Sequence, residues 1–208
     1  MFEDRKEAGL TLARMLAGYR GKDAVIYALP RGGVVLGFEI ANFLRVPLDL
    51  VIARKIGHPK NSEYAVCAVT EEGEPFCEES ERTKLDPRWL EAEIQKERDE
   101  ARRRRIAYLG DKEHISAKDK IAIVVDDGVA TGLTLRAALR AIRAEKPKEL
   151  VVAVPVAPHD MVEVLGREAD KVVVVKDELN YLGAVGAYYL DFPQVSDQEV
   201  IELLKQAE

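Results

Sequence analysis

Short apolar runs alternate with amphipathic stretches along most of the chain, which predicts strands alternating with helices. Leu36, Ile40, Phe43 and Leu44, for example, fall on one helical face before Pro47. The predicted strands are 24–29, 48–53, 121–125, 150–155 and 171–175. The predicted helices are 3–19, the stretch around 36–44 that ends before Pro47, 87–108, 135–146, 159–166 and 197–206, the last with Ser196 as its cap. This order indicates βαβ units and hence a parallel sheet with right-handed crossovers.

We therefore expect an α/β fold with three layers, in which helices cover a mostly parallel central sheet. Polar residues 54–63 are predicted to form a loop, and a hairpin is predicted from 64–70 and 75–77. The charged stretch 87–109 reads as an extra helical element near that hairpin. Most of the tail after residue 176 is predicted to be irregular and aromatic.

The composition describes an ordinary globular protein of 208 residues, long enough for one domain. A net charge of -6 argues against nucleic acid as a partner, and we expect arginines 102–105 to form a solvated helix face. Lone loop histidines such as His114 are expected to be exposed. No apolar run is long enough to span a bilayer, and the charged N-terminus lacks a signal-peptide pattern, so the expected location is the cytoplasm.

Cys67 and Cys77 are the two cysteines of the chain. In a reducing cytoplasm both are expected to be free thiols on half-buried strands. The alternative is a pair, because a hairpin around Glu72 and Gly73 would place the two sulfur atoms nearly opposite each other.

The segment 121–134 carries the strongest chemical signal. Five β-favouring residues lead into Asp126 and Asp127, a turn containing glycine and threonine follows, and a helix-forming stretch begins at Leu135. Ligands of α/β proteins bind outside the carboxyl ends of parallel strands, and a helix N-terminus there favours phosphate. Two acids beside an anion site are consistent with a phosphorylated sugar whose hydroxyls they bind, together with a divalent cation. The alternative is a plain turn in which aspartate serves as a helix cap.

The loop itself supports the phosphate interpretation. Gly128 and Gly132 allow the backbone to approach an anion closely, and the hydroxyls of Thr131 and Thr134 add donors. Neither GxGxxG nor GxxxxGK[ST] occurs in the chain, which argues against a dinucleotide fold or a P-loop NTPase.

Residues 124–134 closely resemble the phosphoribosyl pyrophosphate (PRPP) signature of the type I phosphoribosyltransferases, and the chain is most similar to a bacterial branch of predicted members. Pro30-Arg31-Gly32-Gly33 resembles the pyrophosphate loop of that family, and residues 24–175 follow its core order. The resemblance implies a single domain over 1–208, with a core at 22–176 and a hood at 177–208 to which 1–20 contribute. It also implies a mobile active-site hairpin, a non-proline cis peptide between Pro30 and Arg31, and a homodimer.

The resemblance assigns a role to each candidate residue. Asp126 and Asp127 would be the catalytic acids and would hold Mg²⁺ directly or through water. The 5′-phosphate would be bound by Gly128, Val129, Ala130, Thr131, Gly132, Leu133 and Thr134. The pyrophosphate would be bound by Arg31, Gly32 and Gly33, joined by Arg54 and Lys55, which end the second predicted strand. The base would be bound by Lys176, Tyr181, Leu182 and Asp191, with Tyr188, Tyr189 and Phe192 as further candidate rings.

The expected function is Mg²⁺-dependent transfer of the 5-phosphoribosyl group from PRPP to a nucleobase-like acceptor, with release of pyrophosphate. The alternative is a PRPP- or nucleotide-binding regulatory protein that has the same fold and no catalytic activity. The sequence does not identify the acceptor.

Overall fold

The computed structural model describes residues 1–207. Its eight strands are β1 Ala24–Ala28, β2 Leu48–Leu50, β3 Ala53–His58, β4 Asn61–Thr70, β5 Phe76–Cys77, β6 Ile121–Val125, β7 Glu149–Pro158 and β8 Lys171–Glu178. Its helices are α1 Arg5–Met15, α2 Gly32–Leu44, α3 Glu79–Arg82, α4 Pro87–Leu109, α5 Leu133–Ala144, α6 His159–Glu168 and α7 Asp197–Gln206. Short 3₁₀ turns cover Ala17–Tyr19 and Val185–Tyr188.

The central sheet has five parallel strands in the order β2-β1-β6-β7-β8, as the alternation of strands and helices predicts. Successive residues of β6 point to opposite faces. Ile123 packs into the core beneath α1 and α2, whereas Val124 packs into the core beneath α5 and α6. Helices therefore cover both faces, and the three-layer α/β prediction is confirmed.

Residues 54–63 are not a loop, contrary to the prediction from their polarity. Apart from the turn at 59–60, they belong to β3 and β4, which pair antiparallel and form a separate sheet with β5. Ile56 is buried in this part of the hairpin, but its neighbours are exposed or half-buried, so the apolar pattern of a strand is missing. Cross-strand hydrogen bonding and packing on α4 and α5 hold the hairpin instead.

The arginines of α4 are only partly a solvated face. Arg103 and Arg104 pair with Glu100 on the surface, as expected for helical neighbours. Arg105, by contrast, donates to the buried carboxylate of Asp49 at 2.7 Å. The prediction is wrong for Arg105, because a charge that the sequence places on a polar helix meets a buried acid on β2.

The expectation of free thiols is also wrong. Cys67 and Cys77 are directly opposite each other in the register of β4 and β5 and form a disulfide. This hairpin geometry is the one under which the sequence allowed a pair.

The N-terminal segment meets the aromatic tail beside the carboxyl edge of the sheet. Phe2 forms a parallel β-bridge with Tyr189, and the amide of Phe2 donates to the carbonyl of Tyr188. The amide of Asp191 in turn donates to the carbonyl of Glu3. At the other end of the tail, Ser196 caps α7 through the amide of Glu199, as predicted. Within residues 1–207, no helix is both long and apolar enough to cross a membrane.

Candidate functional site

Asp126 and Asp127 lie at the carboxyl end of β6, at the edge where β1 and the start of α2 also meet. Gly33 makes this close approach feasible. A Cβ atom on Gly33 would lie 2.8 Å from the carbonyl oxygen of Val125 and 3.0 Å from the Cα of Asp126. The glycines of the Arg-Gly-Gly loop therefore let α2 begin directly against the acid pair.

Arg5, in the first turn of α1, is a site residue that the sequence analysis missed. Its Nε donates to Oδ2 of Asp127 at 2.8 Å, and its Nη1 donates to the carbonyl of Pro193 at 2.7 Å. The guanidinium also lies over the ring of Phe192, 3.6 Å from its centre. The arginine thus connects the acid pair to the tail. Nothing in the local pattern of α1 signals this contact, because its partners are 122 and 188 residues away.

Burial and mutual repulsion make the acid pair reluctant to carry two negative charges. Burial and the charge of Asp127 raise the pKa of Asp126 well above its ordinary value. Burial also raises the pKa of Asp127, although the hydrogen bond from Arg5 acts in the opposite direction. A ligand that brings positive charge or hydroxyl donors would satisfy both carboxylates.

The loop after the acids ends in an uncapped helix N-terminus. Gly132 occupies the left-handed region at φ +72° and precedes α5 without a side-chain hydrogen bond to the first turn. A Cβ atom there would lie 2.6 Å from the sulfur of Met161, so glycine is required for both conformation and space. The amides at the start of α5 are consequently available to an anion.

The predicted phosphate residues differ in what they can offer. Thr131 is exposed and Thr134 is half-buried, so both residues are accessible to a ligand. The amide of Val129, however, donates to the carbonyl of Val156 at 2.9 Å, and its side chain is buried. Val129 therefore supports the loop from beneath and has no amide hydrogen left for a phosphate. Leu133 likewise buries its side chain.

The predicted pyrophosphate loop lies beside the acid pair. The peptide between Pro30 and Arg31 is cis, as the resemblance implied. Gly32 faces Asp127 so closely that a Cβ would overlap the carboxylate. The side chain of Arg31 contacts Asp197 of α7 at 3.6 Å, and the two are half-buried and exposed respectively.

Arg54 and Lys55 do not end a strand of the central sheet, as was predicted, but lie within β3 of the hairpin. Consecutive strand residues point to opposite sides. Arg54 pairs with Glu97 of α4 at 2.8 Å, whereas Lys55 is near enough to Asp126 to lower its pKa. The structure thus brings Lys55, but not the guanidinium of Arg54, toward the acid pair.

The aromatic tail forms a hood over this edge, and most of its rings are packed. Tyr189 is buried between Phe2 and Phe192, and its hydroxyl donates to the carbonyl of Asp127 at 2.6 Å. The ring of Phe192 stacks on the ring of Tyr189, and the guanidinium of Arg5 lies over it. These rings therefore support the loop after β6, and their contacts with other side chains leave them unavailable to stack on a ligand.

The four predicted base-site residues differ in accessibility. Tyr181 stacks on Tyr188 with ring centres 5.4 Å apart, and its buried hydroxyl has no hydrogen-bond partner among residues 1–207. Lys176 lies over the ring of Phe2 at 5.7 Å. Leu182 and Asp191 are exposed.

His114 is exposed, as expected, but it also has partners that the sequence did not predict. It contacts the carboxylates of Asp49 and Glu145, each at 2.8 Å. His159 contacts Asp177 at 2.9 Å.

Known proteins share both the sequence and the architecture of this chain. The family model described as "Phosphoribosyl transferase domain" matches residues 5–191. A Mycobacterium tuberculosis protein named "Putative phosphoribosyl transferase Rv0571c" is 38% identical over 209 residues, which cover 100% of this chain and 47% of that protein. The chain thus spans about half the length of the curated relatives it matches.

Solved structures share the fold of this chain. The crystal structure of TT1426 from Thermus thermophilus superposes with a TM-score of 0.83 at 41% identity, covering 99% of this chain and 98% of that one. The AQ2163 protein from Aquifex aeolicus shares the fold at a TM-score of 0.50 and 12% identity, over 84% of this chain and 74% of that one. From the match over residues 5–191, the chain belongs to the phosphoribosyltransferase family.

Proposed function

We propose that this protein transfers the 5-phosphoribosyl group from PRPP to a nitrogenous acceptor and releases pyrophosphate, with Mg²⁺ as its cofactor. The observation that carries the proposal is the juxtaposition of three features at one edge of the sheet. These are the carboxylates of Asp126 and Asp127, the uncapped start of α5, and the Arg31–Gly33 loop.

The transfer breaks the bond from C1 of the ribose to the pyrophosphate oxygen while a nitrogen atom attacks the opposite face. The ribose becomes electron-poor in the transition state, and the leaving group becomes more anionic. Asp126 and Asp127 would accept hydrogen bonds from the 2′- and 3′-hydroxyls, and these bonds strengthen as positive charge develops on the ring. The amides at the start of α5 would hold the 5′-phosphate, with the hydroxyls of Thr131 and Thr134.

The leaving pyrophosphate would lie toward the Arg31–Gly33 loop, and Lys55 from the hairpin would contribute a cation. Arg5 would keep one oxygen of Asp127 fixed while the other oxygen faces the ribose, since its Nε bonds Oδ2 alone. It is therefore a positioning residue for the acid.

The acid pair also fits Mg²⁺. This ion is usually held by one or two carboxylates together with substrate phosphates and water. Asp126 and Asp127 supply the carboxylates, and a bound cation would offset the repulsion between their charges. When bound, the ion would neutralise charge that develops on the pyrophosphate.

We place the acceptor under the hood, near the hydroxyl of Tyr181. A buried hydroxyl without a partner costs stability, so a polar edge of the acceptor would satisfy it. Phe192 is a poor candidate for stacking, because Arg5 and Tyr189 already contact its ring.

The decisive experiment measures pyrophosphate release from PRPP and Mg²⁺ across a panel of nucleobases and related nitrogen acceptors. Turnover with at least one acceptor is expected, together with its loss in Asp126→Asn/Asp127→Asn. Asp99→Asn, an exposed acid on α4, is the matched control and should retain activity. Undiminished turnover in the double variant would remove the acids from the mechanism. PRPP binding without turnover on any acceptor would instead identify a regulatory protein.

Thr131→Val tests the phosphate assignment separately. The loss of one hydroxyl donor should weaken PRPP binding by roughly 1–3 kcal/mol. Thr83→Val, in the segment that follows α3, should not affect binding. Equal PRPP affinity in wild type and Thr131→Val would place the phosphate elsewhere.

A further inference from the structure

A cavity of about 310 Å³ lies between α5, α4 and the turn after β4, outside the site described above. Leu50 and Val51 line it from the central sheet, and Ala141 and Ile142 line it from α5. Since α5 begins beside the phosphate loop and rises 1.5 Å per residue, this part of the helix lies roughly 12–18 Å away. The cavity is therefore a separate site.

Two cations in the cavity wall are already matched by acids. Arg105 donates to Asp49 at 2.7 Å and to the carbonyl of Leu50 at 2.9 Å. His114 contacts Asp49 through Nδ1 and Glu145 through Nε2, each at 2.8 Å. The two positive charges thus face two negative ones, and both ring nitrogens of His114 are engaged.

Glu71 has no ion pair as close as these. Its carboxylate accepts from its own amide, accepts long hydrogen bonds from the amide of Ile52 at 3.2 and 3.3 Å, and lies 3.7 Å from Nη1 of Arg105. Its side chain is only 13% exposed, so water compensates little of its charge. The exposed acid Glu72 lies at the same cavity. After Arg105 and His114 are paired, the wall keeps an excess of negative charge.

We propose that this cavity is a second binding site, which takes a small organic cation such as an amine or amidine. The cationic group would pair with Glu71, and its apolar body would pack on Leu50, Val51 and Ile142. The volume falls at the lower end of the range for small-molecule pockets, which run from roughly 300 to 1,000 Å³. Apolar side chains combined with a few convergent polar or charged groups are the usual design of such pockets.

An anion is disfavoured by the same contacts. It would meet Glu71 and Glu72, and it would have to displace Asp49 from Arg105 or Glu145 from His114. Asp49 also accepts from the amides of Leu50 and Ile115, at 2.7 and 2.8 Å, so it is held firmly in place.

Benzamidine is the test probe, because it has a flat apolar ring and a two-pronged cation that suits a carboxylate. Titration calorimetry should give a weak dissociation constant, on the order of millimolar for so few atoms. Benzoate and benzyl alcohol, which share the ring, should bind far more weakly. Glu71→Gln should weaken benzamidine binding by roughly tenfold or more, the usual effect of losing a charge-assisted hydrogen bond. Glu74→Gln, an exposed acid in the same turn, is the matched control and should bind as wild type does.

Acidification should also weaken binding. Burial raises the pKa of Glu71 to about 7, so its negative charge is lost as the pH falls through that value. The other groups at the wall are Glu72, Arg105, His114 and Glu145, with Asp49 behind them. The hydrogen bonds to Asp49 and Glu145 raise the pKa of His114 to about 9, so it keeps its charge over this range. Although burial acts the other way, these bonds hold the pKa values of Asp49 and Glu145 below their usual values.

Ala141→Leu gives a second readout if Glu71→Gln does not fold. Ala141 lies on the cavity side of α5, and leucine is a good helix former that would fill the space. This variant should abolish benzamidine binding and leave pyrophosphate release unchanged. The proposal is overturned if benzamidine does not bind wild type, if benzoate binds as tightly, or if Ala141→Leu retains full affinity.

Discussion

Arg5→Gln is the substitution that most directly tests how the candidate site is held together. The guanidinium donates to Asp127 and to the carbonyl of Pro193, and it covers the ring of Phe192. Its side chain is 10% exposed and that of Asp127 is 18% exposed, so the pair is shielded from water. The small stabilisation energies typical of surface ion pairs therefore do not apply to this pair.

The expected cost follows from these contacts. Removing one partner of a buried ion pair typically costs about 3–5 kcal/mol, because the other charge is left uncompensated. Asp127 lies at a cleft and can take up a proton, so the lower end applies, about 3 kcal/mol. For a protein of this size that corresponds to a fall in melting temperature of roughly 6–12 °C. The carboxylate would also lose its fixed orientation, and kcat/KM should fall by at least about tenfold, or 1.4 kcal/mol.

Urea unfolding and pyrophosphate release, measured on the same preparations, provide the assay. Arg14→Gln, an exposed position on the same helix, is the matched control and should differ from wild type by less than about 0.5 kcal/mol. Arg5→Lys keeps the charge but loses the planar fork, so it should recover part of both properties. If Arg5→Gln unfolds like Arg14→Gln and keeps wild-type turnover, the arginine does not hold the acid.

Three further outcomes are expected. His114 should stabilise the folded protein fully below about pH 6.5, and this stabilisation should disappear as the pH rises through about 9, since its pKa is raised in the folded state. Equal dependence of the free energy of unfolding on pH in wild type and His114→Gln would contradict this. Gly33→Ala should abolish turnover, because a Cβ would meet backbone atoms at 2.8 and 3.0 Å. The control Gly166→Ala meets nothing within 4 Å and should stabilise its helix by about 0.5–1 kcal/mol. An active Gly33→Ala enzyme would show that the loop can move. Reduction of the Cys67–Cys77 disulfide, which spans 10 residues, should lower the free energy of unfolding by about 2–3 kcal/mol; no difference between oxidised and reduced protein in urea would argue against the bond.

The parts of the fold that the sequence predicts are those whose pattern is local. Inner strands of the central sheet such as β1 and β6 are apolar and buried on both faces, so each appears as a run of β-favouring residues such as 121–125. The cap of α7 is also local, since Ser196 and the amide of Glu199 are three residues apart. The hairpin strand β3 lacks such a pattern, because only Ile56 is buried between polar or half-buried neighbours. Its conformation depends on pairing with β4.

In the candidate site, too, the local sequence predicts some features, whereas others depend on contacts between distant residues. The acids and the phosphate loop are contiguous, so their order in the sequence already predicts a strand, a turn and a helix N-terminus. Which of these residues can contact a phosphate is not local information. Val129 is excluded by its hydrogen bond to the distant Val156, and Lys55 is favoured over Arg54 because the strand alternates.

The geometry of the candidate site depends on residues of the N-terminal segment and the aromatic tail that belong to no sequence motif. Phe2 pairs with Tyr189, and Tyr189 donates its hydroxyl to the carbonyl of Asp127. Arg5 contacts the carboxylate of the same aspartate and the carbonyl of Pro193. The N-terminal segment therefore holds the side chain of Asp127, and the aromatic tail holds its backbone. A change that loosens either segment should alter Asp127 before it alters the parallel sheet, because the apolar core on the α5 side of the sheet contains no residue of these segments.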